Sequence, residues 1–145
     1  MKIGIANDHH GVTVKQNLTK KLLELGYDIK DYGTNQEEMV DYPEYAFKIG
    51  HAIKNKEIDF GILLCHSGIG MSIACNKVKG VRCAKVSSVW DAEMTRRDNN
   101  ANVIALSTTL EIDELVKIID KFLKTEYLNI ERYNRRISMI DNYND

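Results

Sequence analysis

The stretch Gly61-Ile62-Leu63-Leu64-Cys65-His66-Ser67-Gly68-Ile69-Gly70-Met71-Ser72-Ile73-Ala74-Cys75-Asn76-Lys77 decides how the chain is read. An apolar run stops at a lone thiol, a Ser-Gly-x-Gly turn follows, and a helical pattern resumes at once. The run predicts a buried strand over Phe60–Cys65, and the resumed pattern a helix over Ile69–Lys77. In a parallel α/β fold Cys65 then sits at the carboxyl end of a strand. N–H groups of the turn and the positive end of the next helix face the same spot. A thiol so placed ionises more easily, and the donors beside it suit a developing oxyanion. A general base facing such donors is equipped to move a proton on carbon next to a carbonyl.

The same alternation extends in both directions. Lys2–Ala6 reads as a strand and Val12–Leu25 as a helix, with Leu18, Leu22 and Leu25 on one face and Gly26 as its stop. Tyr27–Tyr32 is a short strand. Asp41-Tyr42-Pro43 opens a helix running to about Lys56, with the only proline in the first turn, where its missing N–H costs nothing. Val81–Val86 and Asn102–Leu106 are further strands, and Trp90–Arg97 is helical. Glu111–Lys124 is a helix with Ile112, Leu115, Ile118, Ile119 and Phe122 inward, and the charged tail from Tyr127 to Asp145 is helical. Strand–helix alternation predicts a single α/β domain: a three-layer α/β/α, Rossmann-like parallel five-stranded sheet with a C-terminal helical tail. Ligands of such sheets bind beyond the carboxyl ends of the strands. That rule gathers Asp8, His9, Cys65 to Gly70, Ser87 and Ser88 on one rim.

Composition narrows the partners. The chain has 145 residues, 28% charged and 43% apolar, with a formal net charge of −1. Such a balance gives no general attraction to nucleic acid or anionic membrane, so any anion site is local. No apolar run approaches the roughly 18 residues of a membrane span, and the Met1–Ala6 start is too short for a signal peptide. Three cysteines (Cys65, Cys75, Cys83) with no C-x-x-C pair argue against a disulfide framework or a zinc knuckle and for a reducing, cytoplasmic setting. The four histidines lack the spacing of a known metal motif, so a metal site is not expected.

Each candidate has a plainer reading beside the functional one. Asp8 is also a good N-cap for the first helix. Cys65 is also a small hydrophobe, the role assigned to Cys75 and Cys83, and His10 is a solvent-facing neighbour. Arg96 to Asn102 also reads as a helix end, with basic residues in the last turn and asparagines in the left-handed cap. Arg132 and Arg136 share one helix face, a spacing that suits gripping a phosphate or simply meeting solvent.

Five pieces taken in order carry a resemblance: Asn7-Asp8-His9-His10-Gly11, Asp41-Tyr42-Pro43, Cys65 through Lys77, Asn99-Asn100-Ala101-Asn102-Val103, and Arg132-x-x-Arg135-Arg136. With these the chain resembles, over essentially its whole length, the type B ribose-5-phosphate isomerase family, which includes the galactose-6-phosphate isomerase subunits. The resemblance implies reversible aldose–ketose isomerisation of a sugar phosphate through a cis-enediolate, without metal or organic cofactor. It assigns Cys65 the proton between C2 and C1, with the Ser67 hydroxyl supporting the thiol. The backbone amides of Ser67, Gly68, Ile69 and Gly70 would hold the enediolate oxygen. Asp8 and Asn99 would bind sugar hydroxyls and Tyr42 would line the pocket. His9, Arg132 and Arg136 would take the phosphate. The family builds each site across a subunit boundary, which implies a homodimer or homotetramer.

Departures from the family pattern are informative too. The histidine thought to open the sugar ring is here Asp98, a carboxylate able to accept the anomeric proton at neutral pH but not to donate one. An arginine usual in the phosphate site is Thr109, a tail histidine is Tyr133, and the glycine usual after the cysteine is His66. His66 supplies an imidazole beside the substrate if its ring turns that way. The expected substrate is ribose 5-phosphate. Alternatives are a four- or six-carbon sugar phosphate, pairing with a paralogous chain of galactose-6-phosphate type, or a non-catalytic sugar-phosphate-binding role.

Overall fold

A computed structural model describes residues 1–145. Five parallel strands are ordered β2-β1-β3-β5-β4. They are β1 (Ile3–Asn7), β2 (Ile29–Asp31), β3 (Phe60–Cys65), β4 (Cys83–Lys85) and β5 (Val103–Ser107). The central three are buried almost throughout, as continuous apolar runs require when both faces of a sheet are covered. The edge strands β2 and β4 have three residues each, shorter than the segments expected, because an edge strand has only one neighbour to pair with.

Alternation along the strands sorts the core into two layers. Ile3 and Ile5, Ile62 and Leu64, Ile104 and Leu106 face α1 (Val12–Glu24), α4 (Val89–Asn99) and α5 (Ile112–Lys124). Ala6, Leu63, Cys65, Val103 and Ala105 face α2 (Tyr42–Lys54) and α3 (Ile69–Cys75). Leu115, Ile118, Ile119 and Phe122 of α5 are fully buried, as its apolar stripe predicts, whereas Ile112 is only half-buried. Leu25 departs from expectation and is exposed. Helix α1 stops at Glu24 and Gly26 turns the chain away with φ +92°, so Leu25 never completes the buried face. Asp8 caps the 3-10 turn His9–Gly11 that precedes α1, accepting from the His10 amide, and not α1 itself. Cys75 is fully buried and Cys83 half-buried. A hydrogen bond with Cys75, reinforced by burial, pushes the Cys83 thiol well up from its ordinary range.

The tail helix α6 (Glu131–Asp141) lies on the surface with no buried residue. It is anchored to the start of β4 by Arg82, whose Nη1 lies 2.9 Å from both oxygens of Asp141. No helix is long and apolar enough to cross a membrane.

Tyr27, just before β2, donates to Asp120 of α5 at 2.7 Å. Burial first, then this carboxylate, pushes the phenol up to about 12. Burial also raises Asp120, but bonds from Tyr27 and Lys124 outweigh it and leave its carboxyl below the usual range. A depressed carboxyl stabilises the fold above its unfolded value and loses that as pH falls through the folded one. A raised phenol stabilises it below pH 10 and loses that as pH rises through about 12. Tyr27→Phe is therefore expected to cost about 1 kcal/mol in urea denaturation at neutral pH, with the difference from wild type closing at either extreme.

Candidate active site

The sheet reverses its winding between β1 and β3: the chain runs from β1 outward to β2, then crosses back to β3. Such a switch point opens a crevice at the carboxyl ends of the two strands. Asp8 and His9 leave β1 there and Cys65 ends β3, with the Asp8 amide donating to the Leu64 carbonyl across the gap.

Cys65 is only 6% exposed, and its Sγ accepts a hydrogen bond from the Gly68 amide at 3.1 Å. Gly68 holds φ +78°, and a Cβ on it would come within 3.0–3.2 Å of the Ala105 and Leu106 backbone. Only glycine serves at this bend. A Cβ at Gly70 would press on the Tyr42 ring at 2.7–3.0 Å, so Tyr42, in the first turn of α2, packs closely against the turn and closes one wall.

The hydrogen bonds of the turn bear on two expectations. The Ser67 hydroxyl oxygen accepts from the Ile69 amide at 3.2 Å, while the thiol is bonded by the Gly68 amide. Of the four amides expected to hold the enediolate oxygen, Gly68 is taken by Cys65 and Ile69 by Ser67. The N–H groups of Ser67 and Gly70 have no acceptor within the chain and remain for an oxyanion.

Opposite the thiol, Asp8 is nearly buried. Its Oδ1 accepts from the His10 amide at 3.0 Å, and its Oδ2 lies 3.4 Å from His10 Nδ1. His9 Nδ1 accepts from the Val40 amide at 3.2 Å, which in a neutral ring puts the proton on Nε2. The loop carrying Val40 is itself tied down. Buried Lys15 bonds Asp31, the Thr34 carbonyl and Asn35, and the Asn7 carboxamide donates to the same carbonyl. Asp8, His9 and His10 offer ligand-type atoms within 4.8 Å of one another, but one nitrogen of His9 and both oxygens of Asp8 already have partners in the chain. Sequence spacing could not reveal the Val40 contact; His10 is solvent-facing as read, with its Nδ1 3.4 Å from Asp8.

The other expected residues lie at the far edge of the sheet. Helix α4 starts at the carboxyl edge and returns, so Asp98 and Asn99 come out near Asn102, whose carbonyl accepts from Gly61 at the start of β3. The six-residue β3 separates that edge from Cys65 by about 17 Å. Asn99 borders a cavity of about 370 Å3 with Asn76, Arg82, Cys83 and Ile140. Asp98 is held by Arg97, Nε to Oδ1 at 2.7 Å and Nη2 to Oδ2 at 3.2 Å. That pairing, aided by Tyr133 and Arg132, keeps its carboxyl below the usual range and commits Arg97 to Asp98. The helix-end reading also holds. Asn100 adopts the left-handed cap (φ 47°), and Arg96 bonds its carboxamide and the Ala101 carbonyl. On α6, Arg135 is paired with Glu131 at 2.9 Å. Arg132 has only the Tyr133 ring and hydroxyl, and exposed Arg136 has no hydrogen-bonding partner in the chain.

The sequence profile of the ribose/galactose isomerase family matches residues 3–140. The chain belongs to the ribose/galactose isomerase family. Among relatives in this family, the probable ribose-5-phosphate isomerase B of Mycoplasma genitalium is 40% identical over 144 residues, covering 97% of this chain and 94% of its own. Ribose-5-phosphate isomerase B of Escherichia coli is 36% identical over 140 residues, covering 96% and 93%. The fold is shared as closely. The ribose-5-phosphate isomerase B of Clostridium thermocellum superposes with a TM-score of 0.93 at 39% identity, covering 97% of this chain and 95% of that one. The Mycoplasma genitalium enzyme with bound ribulose 5-phosphate gives 0.90 at 39% identity, covering 98% and 95%.

Proposed function

We propose that this chain is an aldose–ketose isomerase that interconverts ribose 5-phosphate and ribulose 5-phosphate, with Cys65 as the proton carrier. The observation that carries this is the buried thiol bonded to the Gly68 amide while the Ser67 and Gly70 amides beside it stand free. The thiolate takes the proton from C2 of the open-chain aldose. The C1 oxygen gathers negative charge as the cis-enediolate forms, and the free amides stabilise it. The C2 hydroxyl proton passes to the C1 oxygen, the same sulfur delivers a proton to C1, and the electrons collapse to a carbonyl at C2. Kinship with relatives named for this substrate, one of them with the product bound, supports ribose 5-phosphate over other sugars.

The working site in this reading is shared between two copies. Within one chain, Asp8, His9, Tyr42 and Cys65 stand at the carboxyl edge, and Asp98, Asn99, Arg132 and Arg136 at the amino edge. A second copy that places its amino edge over the first copy's thiol brings the unpaired arginines to the phosphate and Asn99 to a hydroxyl. Tyr42, Phe47, Ile69 and Ile73 are exposed on α2 and α3, which suits burial against that copy. Asp98, ionised and held by Arg97, serves as an acceptor for the anomeric proton and not as its donor. Purified chain, alone and without added metal, is expected to form ketose from ribose 5-phosphate. A folded oligomer that forms none would return the substrate to a four- or six-carbon sugar phosphate or require a second, unlike chain.

A further inference from the structure

We propose that His10 and His66 join His9 in an imidazole row that binds the substrate's phosphate and makes affinity for it rise as pH falls; this deepens, and rests on, the isomerase reading above. The rings of His9 and His10 have centroids 4.2 Å apart, and those of His10 and His66 lie 5.4 Å apart. Adjacent pairing of β1 and β3 brings these distant positions together. The His66 ring leans toward the β1 loop, while its backbone carbonyl is held from the other side by the Ser107 hydroxyl at 2.6 Å. That hydroxyl in turn shares a 2.6 Å hydrogen bond with Thr109. The loop is therefore pinned from the β5 side and the ring is left at the mouth of the crevice.

The loops that follow β1, β3 and β5 (residues 8–11, 66–70 and 108–111) contain no lysine or arginine. The three imidazoles are thus the only side chains there able to carry positive charge. His9 Nε2 points outward because Nδ1 is occupied by Val40. The His10 ring is the ionisable group in contact with His66; Asp8 and His9 flank His10 on the β1 loop, and Cys65 precedes His66 on its own strand. The β5 side contributes Ser107, Thr108 and Thr109, none of which ionises at neutral pH, and the exposed carboxylate of Glu111 at the end of its loop; the Val40 loop beside His9 carries exposed Glu37, Glu38 and Asp41. Lys15, beneath, is spent on Asp31 and the Thr34–Asn35 loop. Imidazole is the side chain that changes charge between pH 5 and 8. Neighbouring imidazolium ions repel one another, and a phosphate dianion among them offsets that repulsion, so anion binding and proton uptake reinforce each other.

The test compares wild type, His66→Asn and His66→Arg between about pH 6 and pH 8. It reads kcat and KM for ribose 5-phosphate, and calorimetric binding of inorganic phosphate to the same oligomers. The second ionisation of the phosphate itself, near pH 6, is common to all three proteins and cancels in the comparison. His66→Asn is expected to raise KM and the phosphate dissociation constant about tenfold at the acid end, the scale of one charge-assisted hydrogen bond. At the alkaline end it should match wild type, with kcat within about twofold throughout. His66→Arg should bind tightly at both ends. A wild-type pH profile in His66→Asn, or a loss confined to kcat, overturns the proposal. Protein that binds phosphate in this pattern yet turns over no sugar phosphate would support the anion contact while removing the isomerase reading.

Discussion

Cys65→Ala is expected to lower kcat for ribose 5-phosphate isomerisation by about 10²–10⁴-fold, the range that a positioned acid–base group supplies, with little change in KM. No neighbour can take over the proton. Asp8 is tied by both oxygens to His10, the Ser67 hydroxyl is turned to the Ile69 amide, and His66 leans away toward the β1 loop. Cys65→Ser should fare equally badly, because a hydroxyl in the same place is a far weaker acid than a thiol. Thermal unfolding separates this from misfolding, since removing one sulfur from a site 6% exposed leaves only a small void. Retention of more than a tenth of wild-type kcat in both variants would assign the proton to another group.

The second large effect follows from the split between the two edges of the sheet. Cys65→Ala damages only the carboxyl-edge half of a site, and Arg132→Ala/Arg136→Ala only the amino-edge half. Each variant alone is expected to be nearly inactive, because every site in its oligomer carries the lesion. Refolding an equal mixture should restore about a quarter of wild-type activity. Half of randomly paired dimers are mixed, and each of those has one of its two sites wholly intact. A mixture no more active than its parts would place both halves of the site within one chain and contradict the shared arrangement.

The central fold was legible because β1, β3 and β5 are covered on both faces, and apolar runs ending at polar turns are what such strands require. The edges were less so. Nothing in Tyr27–Tyr32 or Val81–Val86 tells how many residues pair when only one neighbour is available, and both shrank to three. The thiol rim was readable from strand, turn and helix in succession. The bonds that orient it were not, since the Val40 contact to His9 and the meeting of His10 with His66 depend on loops far apart in sequence. The separation of Asn99 from Cys65 had a signal: a crossover helix that leaves a strand's carboxyl end must come out at the amino edge. Applied to α4, that rule alone places Asp98 and Asn99 away from the thiol.

The most direct test of Cys65-mediated isomerisation is proton NMR of ribose 5-phosphate incubated in D2O with the purified chain alone. Transfer through an enediolate on an exchangeable thiol predicts ribulose 5-phosphate carrying solvent deuterium at C1, and neither ketose nor label with Cys65→Ala. Ketose formed without any deuterium would show that no group in exchange with solvent carried the proton. Ketose formed equally by the alanine variant would show that the thiol is not the carrier, and either result contradicts the account.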